Sequence, residues 1–160
     1  MNNVSLKNFY KRFPNEGVCL MYVEYLRWPE LRMCPHCTSS RTYKYKNGKT
    51  FKCGSCRKQF TATVGTVFMQ SHIPLQDWFL AVLLSVPQGR GITSVKLAEY
   101  LGVTQKTAWS MLRRIRYGLG SEAASSFARK SEIEPFEADE VFDDHIRKLI
   151  AVSLPSDLRI

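Results

Sequence analysis

The chain has 160 residues, an apolar fraction of 44% and a net charge of +9, which suits one ordinary folded domain or two or three very small ones. The charge is uneven: residues 1–30 carry +1, 31–76 carry +8, 77–130 carry +5 and 131–160 carry −5. No apolar run approaches the length of about 18 residues that a membrane helix needs, and MNNVSLKNFYKRF lacks the continuous apolar stretch of a secretory signal, so no membrane partner, a cytoplasmic location and reduced cysteines are expected.

Residues 1–30 read as an N-terminal helical segment, with one helix from about Asn15 to Arg27 that ends at Trp28-Pro29. Val18, Met21, Tyr22 and Tyr25 are spaced for its buried face, which is expected to pack on the module that follows. Cys19, alone in VCLMYVEYL, reads as a small buried hydrophobe, not a reactive thiol.

Residues 31–70 contain Cys34-Pro-His-Cys37 and Cys53-Gly-Ser-Cys56. Two CxxC turns at this separation match a zinc ribbon, in which each turn presents two thiolates and the pair closes a tetrahedron around structural Zn²⁺. Iron–sulfur ligation and disulfides are the alternatives; the hairpin spacing and the reducing compartment disfavour them. Four thiolates complete the tetrahedron, so His36 is read as a surface residue. Between the turns, RTYKYK and KTFKC alternate around Asn47-Gly48, the signal of a type I′ hairpin, and FTATVGTVF reads as a last strand. So small a module buries little core, and the metal supplies on the order of 10 kcal/mol of its folding free energy. Between Leu31 and Gln76 there is no Asp or Glu. Even with the net −2 of a zinc tetrathiolate, a strongly cationic surface remains. It includes Lys44, Lys46, Lys49, Lys52, Arg57 and Lys58, and its single sign points to a polyanion, with nucleic acid ahead of anionic membrane. A basic surface with no specific partner is the bland alternative.

Residues 72–120 read as helical. Pro74 suits the first position of a helix whose face is Leu75, Phe79, Val82, Leu83 and Val86, stopped by Pro87, Gly89 and Gly91. A short helix from Ser94 to Leu101, a turn at Gly102-Val103 and a second helix N-capped by Thr104 and reaching about Tyr117 form a helix–turn–helix pattern. Ala108, Met111, Leu112 and Ile115 face inward, and Trp109 is expected in the core. Gln105, Lys106, Thr107, Ser110, Arg113 and Arg114 are expected outward. There the first turns of the second helix would meet base edges of double-stranded DNA and the cations would meet phosphates. Such pairs of helices also occur as plain packing modules.

CPHC, FKCGSCRKQFTATVGTVF, SHIPLQDWF, LAEYLGVTQKTAWSMLRRIR and EADE, in that order, resemble the front half of bacterial insertion-sequence transposases with an N-terminal zinc ribbon and a DDE catalytic domain. The resemblance implies an α+β chain made of a zinc-ribbon hairpin module, a helix–turn–helix module and, over residues 131–160, the start of an RNase H-like domain. It places Asp139, in the acidic run FEADEVFDD, at the first catalytic carboxylate on the first strand of that domain. There, two Mg²⁺ or Mn²⁺ ions in an intact catalytic domain carry out phosphoryl transfer. Only 21 residues follow Asp139, whereas an RNase H-like core needs on the order of 100. The expectation is therefore a truncated transposase that binds the element's terminal inverted repeats and has lost DNA transposition. A zinc-ribbon transcriptional regulator without enzymatic activity is the competing reading, and self-association stays open. Asp139 and Asp143 could share one strand face, but nothing else in the tail completes a metal ligand set. The acidic tail is also a candidate to fold back on the basic surface and weaken DNA binding.

Overall fold

The computed structural model describes residues 3–85, 92–126, 135–153 and 155, with side chains for 6–85, 92–120, 140–153 and 155. Val86, Pro87, Gly89 and Gly91 therefore lie outside the described residues. Six helices and a three-stranded antiparallel sheet are formed among the described residues.

Within the N-terminal helical segment, α1 (Asn3–Arg12), whose bounds the sequence does not predict, precedes α2 (Glu16–Arg27). Asn15 caps α2, its side-chain oxygen accepting from the Val18 N–H at 3.1 Å. The buried face of α2 is Cys19, Val23 and Leu26, and it packs on helices α3 (Leu75–Ser85) and α6 (Pro135–Ala151). Met21 and Tyr25, expected inside, are each 65% exposed. The apolar residues of α2 lie on more than one face, and packing of the other helices selects which of them is covered.

The sheet is β1 (Thr42–Lys44), β2 (Thr50–Cys53) and β3 (Gln59–Thr61), in that order, with Thr42 opposite Cys53 and Thr50 opposite Thr61. The hairpin loop is wider than a two-residue type I′ turn. The Tyr45 N–H bonds to the Thr50 carbonyl at 2.8 Å, enclosing Lys46 to Lys49, and of these only Gly48 has positive φ. Asn47 spans the wider loop because its side-chain oxygen accepts from both the Lys49 and Thr50 N–H groups at 3.0 Å. Beyond Thr61 the expected strand gives way to a series of turns.

Helix α3 is apolar nearly all round and forms the centre of the main core. Leu75, Trp78, Phe79, Leu80, Ala81, Val82 and Leu84 are all buried, against α2, α6, α4 (Ser94–Leu101) and α5 (Gln105–Ser126). The Phe79 ring meets Phe13 at 5.0 Å, Tyr22 at 5.7 Å and Phe142 at 5.8 Å, joining the first two helices to α6. A second, smaller core of Phe51, Phe60, Cys34 and Cys53 lies under Trp28.

The acidic segment adopts a helix where the resemblance implied a strand. Phe142, Ile146, Leu149 and Ile150 follow a helical period and are buried on α2, α3 and α5. A helix also satisfies its backbone groups internally, whereas the described sheet contains no strand from this segment. Asp143 accepts from Arg12 Nη2 at 2.6 Å and from the Tyr22 hydroxyl, so it fastens α6 to α1 and α2 and is not poised for a metal. The described part of the tail therefore docks on the helical core and on the turns that follow β3, not on the ribbon's cationic surface, and deleting residues 131–160 would remove core residues as well as charge. The side chain of Asp139 lies outside the described residues.

Candidate metal centre and nucleic-acid interface

The two CxxC turns bring Cys34, Cys37, Cys53 and Cys56 together, all four sulfurs lying within 4.8 Å of one another. The Cys34–Cys56 separation is 3.7 Å and the Cys37–Cys53 separation is 3.5 Å. A tetrahedral ion with Zn–S bonds of about 2.3 Å requires sulfur separations of about 3.8 Å, so the donor set fits structural zinc. Backbone N–H groups of His36, Ser55 and Cys56 point at Cys34 and Cys53 sulfurs at 3.4–3.5 Å. They stabilise thiolate charge and orient the ligands.

The thiols differ accordingly. The N–H groups of Cys56 and Ser55, together with neighbouring thiols, lower Cys53 to about 6 against the opposing effect of burial. At Cys56 the Lys58 backbone acts in the same lowering direction, but burial and the other thiols outweigh it and raise the group to about 11. A cation that binds all four as thiolates displaces whatever thiol protons remain. Cys19 stands apart: it is fully buried, and burial raises its thiol to about 12, as its small-hydrophobe role requires.

Two arginines, Arg114 buried and Arg27 half-buried, join the ribbon to the helical unit through the irregular segment after β3. Arg27 donates to the Ala62 carbonyl at 2.6 Å. Arg114 donates to the Val67 carbonyl at 3.3 Å and the Met69 carbonyl at 3.2 Å, with its guanidinium over the Trp78 ring at 5.8 Å. The Val67 N–H bonds to the Leu149 carbonyl at 3.1 Å, and Ser153 Oγ donates to the Gly65 carbonyl at 3.3 Å. Carbonyls left free by the turns are thereby satisfied, and the metal module is fixed relative to α5. Arg114 is 0% exposed, which corrects its expected place on the outer surface.

Helices α4 and α5 are joined by a short turn of defined chemistry. Thr93 caps α4, and Gly102 ends it with φ of 64°, a left-handed conformation that glycine adopts without strain. Thr104 Oγ1 accepts from the Thr107 N–H at 3.2 Å and opens α5. Ala108, Met111, Leu112 and Ile115 are buried, while Gln105, Lys106 and Arg113 are exposed and Thr107 and Ser110 are half-buried. Trp109 is 53% exposed instead of in the core, and the Arg113 guanidinium lies over its ring at 5.5 Å. With exposed Arg116 and Tyr117, these residues form a cationic and aromatic ridge along α5. Trp109, Arg116 and Tyr117 are not among the residues expected outward from the sequence, although none of them lies at the i, i+3, i+4, i+7 positions of the buried set.

On the ribbon, Lys46, Lys49, Lys52, Arg57 and Lys58 are exposed. Lys44 differs: its ammonium pairs with Glu24 at 3.0 Å and lies over the Phe51 ring at 5.4 Å, so it helps bind β1 to α2. The side chain of Asp139 being outside the described residues, the cysteines form the one group of three or more His, Cys, Asp or Glu placed to hold an ion among the described residues. No described helix is long and apolar enough to cross a membrane.

Residues 14–59, which contain α2 and the four cysteines, match a family described as the transposase zinc-ribbon domain. The chain is also 28% identical over 137 residues to an "uncharacterized protein in transposable element ISH50" of Halobacterium salinarum, an alignment covering 82% of this chain and 43% of that protein. The chain thus spans less than half the length of that curated relative. No solved structure matches. These likenesses support a relation to insertion-sequence transposases, and the ribbon family with its four gathered cysteines supports a structural Zn²⁺.

Proposed function

We propose that the chain is the DNA-recognition part of an insertion-sequence transposase and binds duplex DNA at the element's terminal inverted repeats. Two parts share the work: a ribbon over residues 31–70, ligated to zinc by Cys34, Cys37, Cys53 and Cys56, and a helix–turn–helix over residues 72–120. The observation that carries this reading is α5, with one face buried and the other an exposed ridge of Gln105, Lys106, Trp109, Arg113 and Arg116. In the major groove, Gln105 and Lys106 in the first turn would reach base edges, and Arg113 and Arg116 would lie along phosphates. Lys46, Lys49, Arg57 and Lys58 would add backbone contacts from the ribbon. Strand transfer through Asp139 and two divalent ions forms no part of this proposal, the side chain of Asp139 lying outside the described residues.

The test is fluorescence anisotropy with a terminal-repeat duplex and a scrambled duplex. Lys106→Ala and Arg113→Ala should each weaken binding several-fold, and the Arg113 change should reduce the log–log salt slope by about 0.9. Gln105→Ala should narrow the difference between the two duplexes. Unchanged affinity in all three variants would remove α5 from the interface.

A further inference from the structure

The ribbon sheet has a second face that neither zinc ligation nor the duplex reading explains. Tyr43 and Tyr45 are two residues apart on β1 and its continuation, so they project to the same side. Tyr43 lies opposite Lys52, and Lys52 opposite Gln59. The Tyr45 N–H bond to the Thr50 carbonyl continues the ladder. The reverse face carries Phe51, Cys53 and Phe60, which are buried under Trp28. The module therefore has its own aromatic core, yet Tyr43 is 60% and Tyr45 39% exposed.

Both rings are held in place. A β-carbon at Gly54 would stand 3.0 Å from Tyr43 Cε2, so the ring lies close over a position where glycine leaves room for it. Gln59 Nε2 donates to the Tyr45 hydroxyl at 3.2 Å. Lys52 lies on the same face, Lys46 and Lys49 are in the adjoining loop, and Lys58 precedes β3, all exposed. The rest of the face, Thr50, Gln59 and Thr61, carries no Leu, Ile, Val or Met to seat an apolar partner. The single sign of charge from Leu31 to Gln76 selects a polyanion.

Paired bases in a duplex are already stacked and offer no ring face, whereas unpaired bases do. We propose that this face binds a single-stranded nucleic acid, stacking successive bases on Tyr43 and Tyr45 while Lys46, Lys49 and Lys52 hold the phosphates. The site shares some ribbon cations with the duplex interface but uses nothing from α5, so the two readings can fail separately.

The experiment measures anisotropy of the zinc-loaded full chain with a short oligothymidylate, its ribose counterpart and a duplex. Tyr43→Ala and Tyr45→Ala should each weaken single-strand binding about tenfold, the corresponding Phe variants should retain it, and duplex affinity should not change. Tighter binding of either single strand than of the other identifies DNA or RNA as the occupant and supports the platform in both cases. The proposal is overturned if wild type ignores single strands while binding duplex. It is equally overturned if the Ala variants, folded by zinc content and melting temperature, bind oligothymidylate like wild type. Retained single-strand binding with no duplex binding would instead overturn the role of α5.

Discussion

At Gly118, α5 comes close to Leu149 of α6. A β-carbon there would stand 2.5 Å from Leu149 Cδ2 and 2.8 Å from Val67 Cγ2, with Leu149 Cα at 3.8 Å. Both neighbours are fully buried, and the Val67 N–H is tied to the Leu149 carbonyl. Gly118→Ala therefore has two opposed effects. Replacing glycine in a helix by alanine stabilises by about 1 kcal/mol. Overpacking a close-packed core costs about 1–3 kcal/mol. Val67 is β-branched and has few alternative rotamers, so relief would fall on Leu149, which is itself enclosed. Overpacking should win by about 1 kcal/mol, lowering the melting temperature by about 2–4 °C for a chain of this size. Urea titration followed by circular dichroism reads the change directly. In a Leu149→Ala background the same substitution should be less harmful by about 1 kcal/mol, because the two sites are in contact. A Gly118→Ala protein as stable as wild type, or more so, would refute this packing of α5 on α6.

Three further outcomes are expected. Asp143→Asn removes the charge facing Arg12 and Tyr22 and should destabilise the fold by about 1–2 kcal/mol at neutral pH, with unchanged urea midpoints showing the contact to be inert. Burial lowers the pKa of His145 below 6.5, so the unfolded chain takes up a proton that the folded chain resists. Stability should therefore rise with pH through the region just below 6.5 and be lost on acidification, and His145→Gln should flatten that slope in melting curves across the range. Cys56→Ser should reduce zinc content measured by elemental analysis and melt the ribbon, while the helical signal of α3 and α5, whose core is separate, is largely kept.

Features that depend on neighbours in the sequence were legible. The CxxC spacing located the metal cluster, and Thr104 with Gly102 bounded the turn between α4 and α5, because caps and knuckles are chemistry of adjacent residues. Asn47-Gly48 located the hairpin but not its width, which the Asn47 side chain decides by bonding two N–H groups. Arg114 was misread because its partners, the carbonyls of Val67 and Met69, are more than 40 residues away, and no local pattern reports them. Trp109, expected in the core, sits beside Ala108 at a position off the buried face and is exposed. The acidic segment was read as a strand by resemblance, while the spacing of Phe142, Ile146, Leu149 and Ile150 already carried the helical period that α6 adopts.

Duplex binding is proposed to need two parts, the ribbon's cations, ordered by a metal-bound cysteine cluster, and the exposed ridge of α5. The most direct test of this requirement is duplex affinity across a salt titration, measured on the zinc-loaded chain and again after thiol-specific removal of the metal. One bound zinc is expected, with affinity that falls steeply with salt, and a shallower slope with weaker binding once the ribbon's contribution is lost. Identical affinity and slope with and without the metal would contradict the requirement.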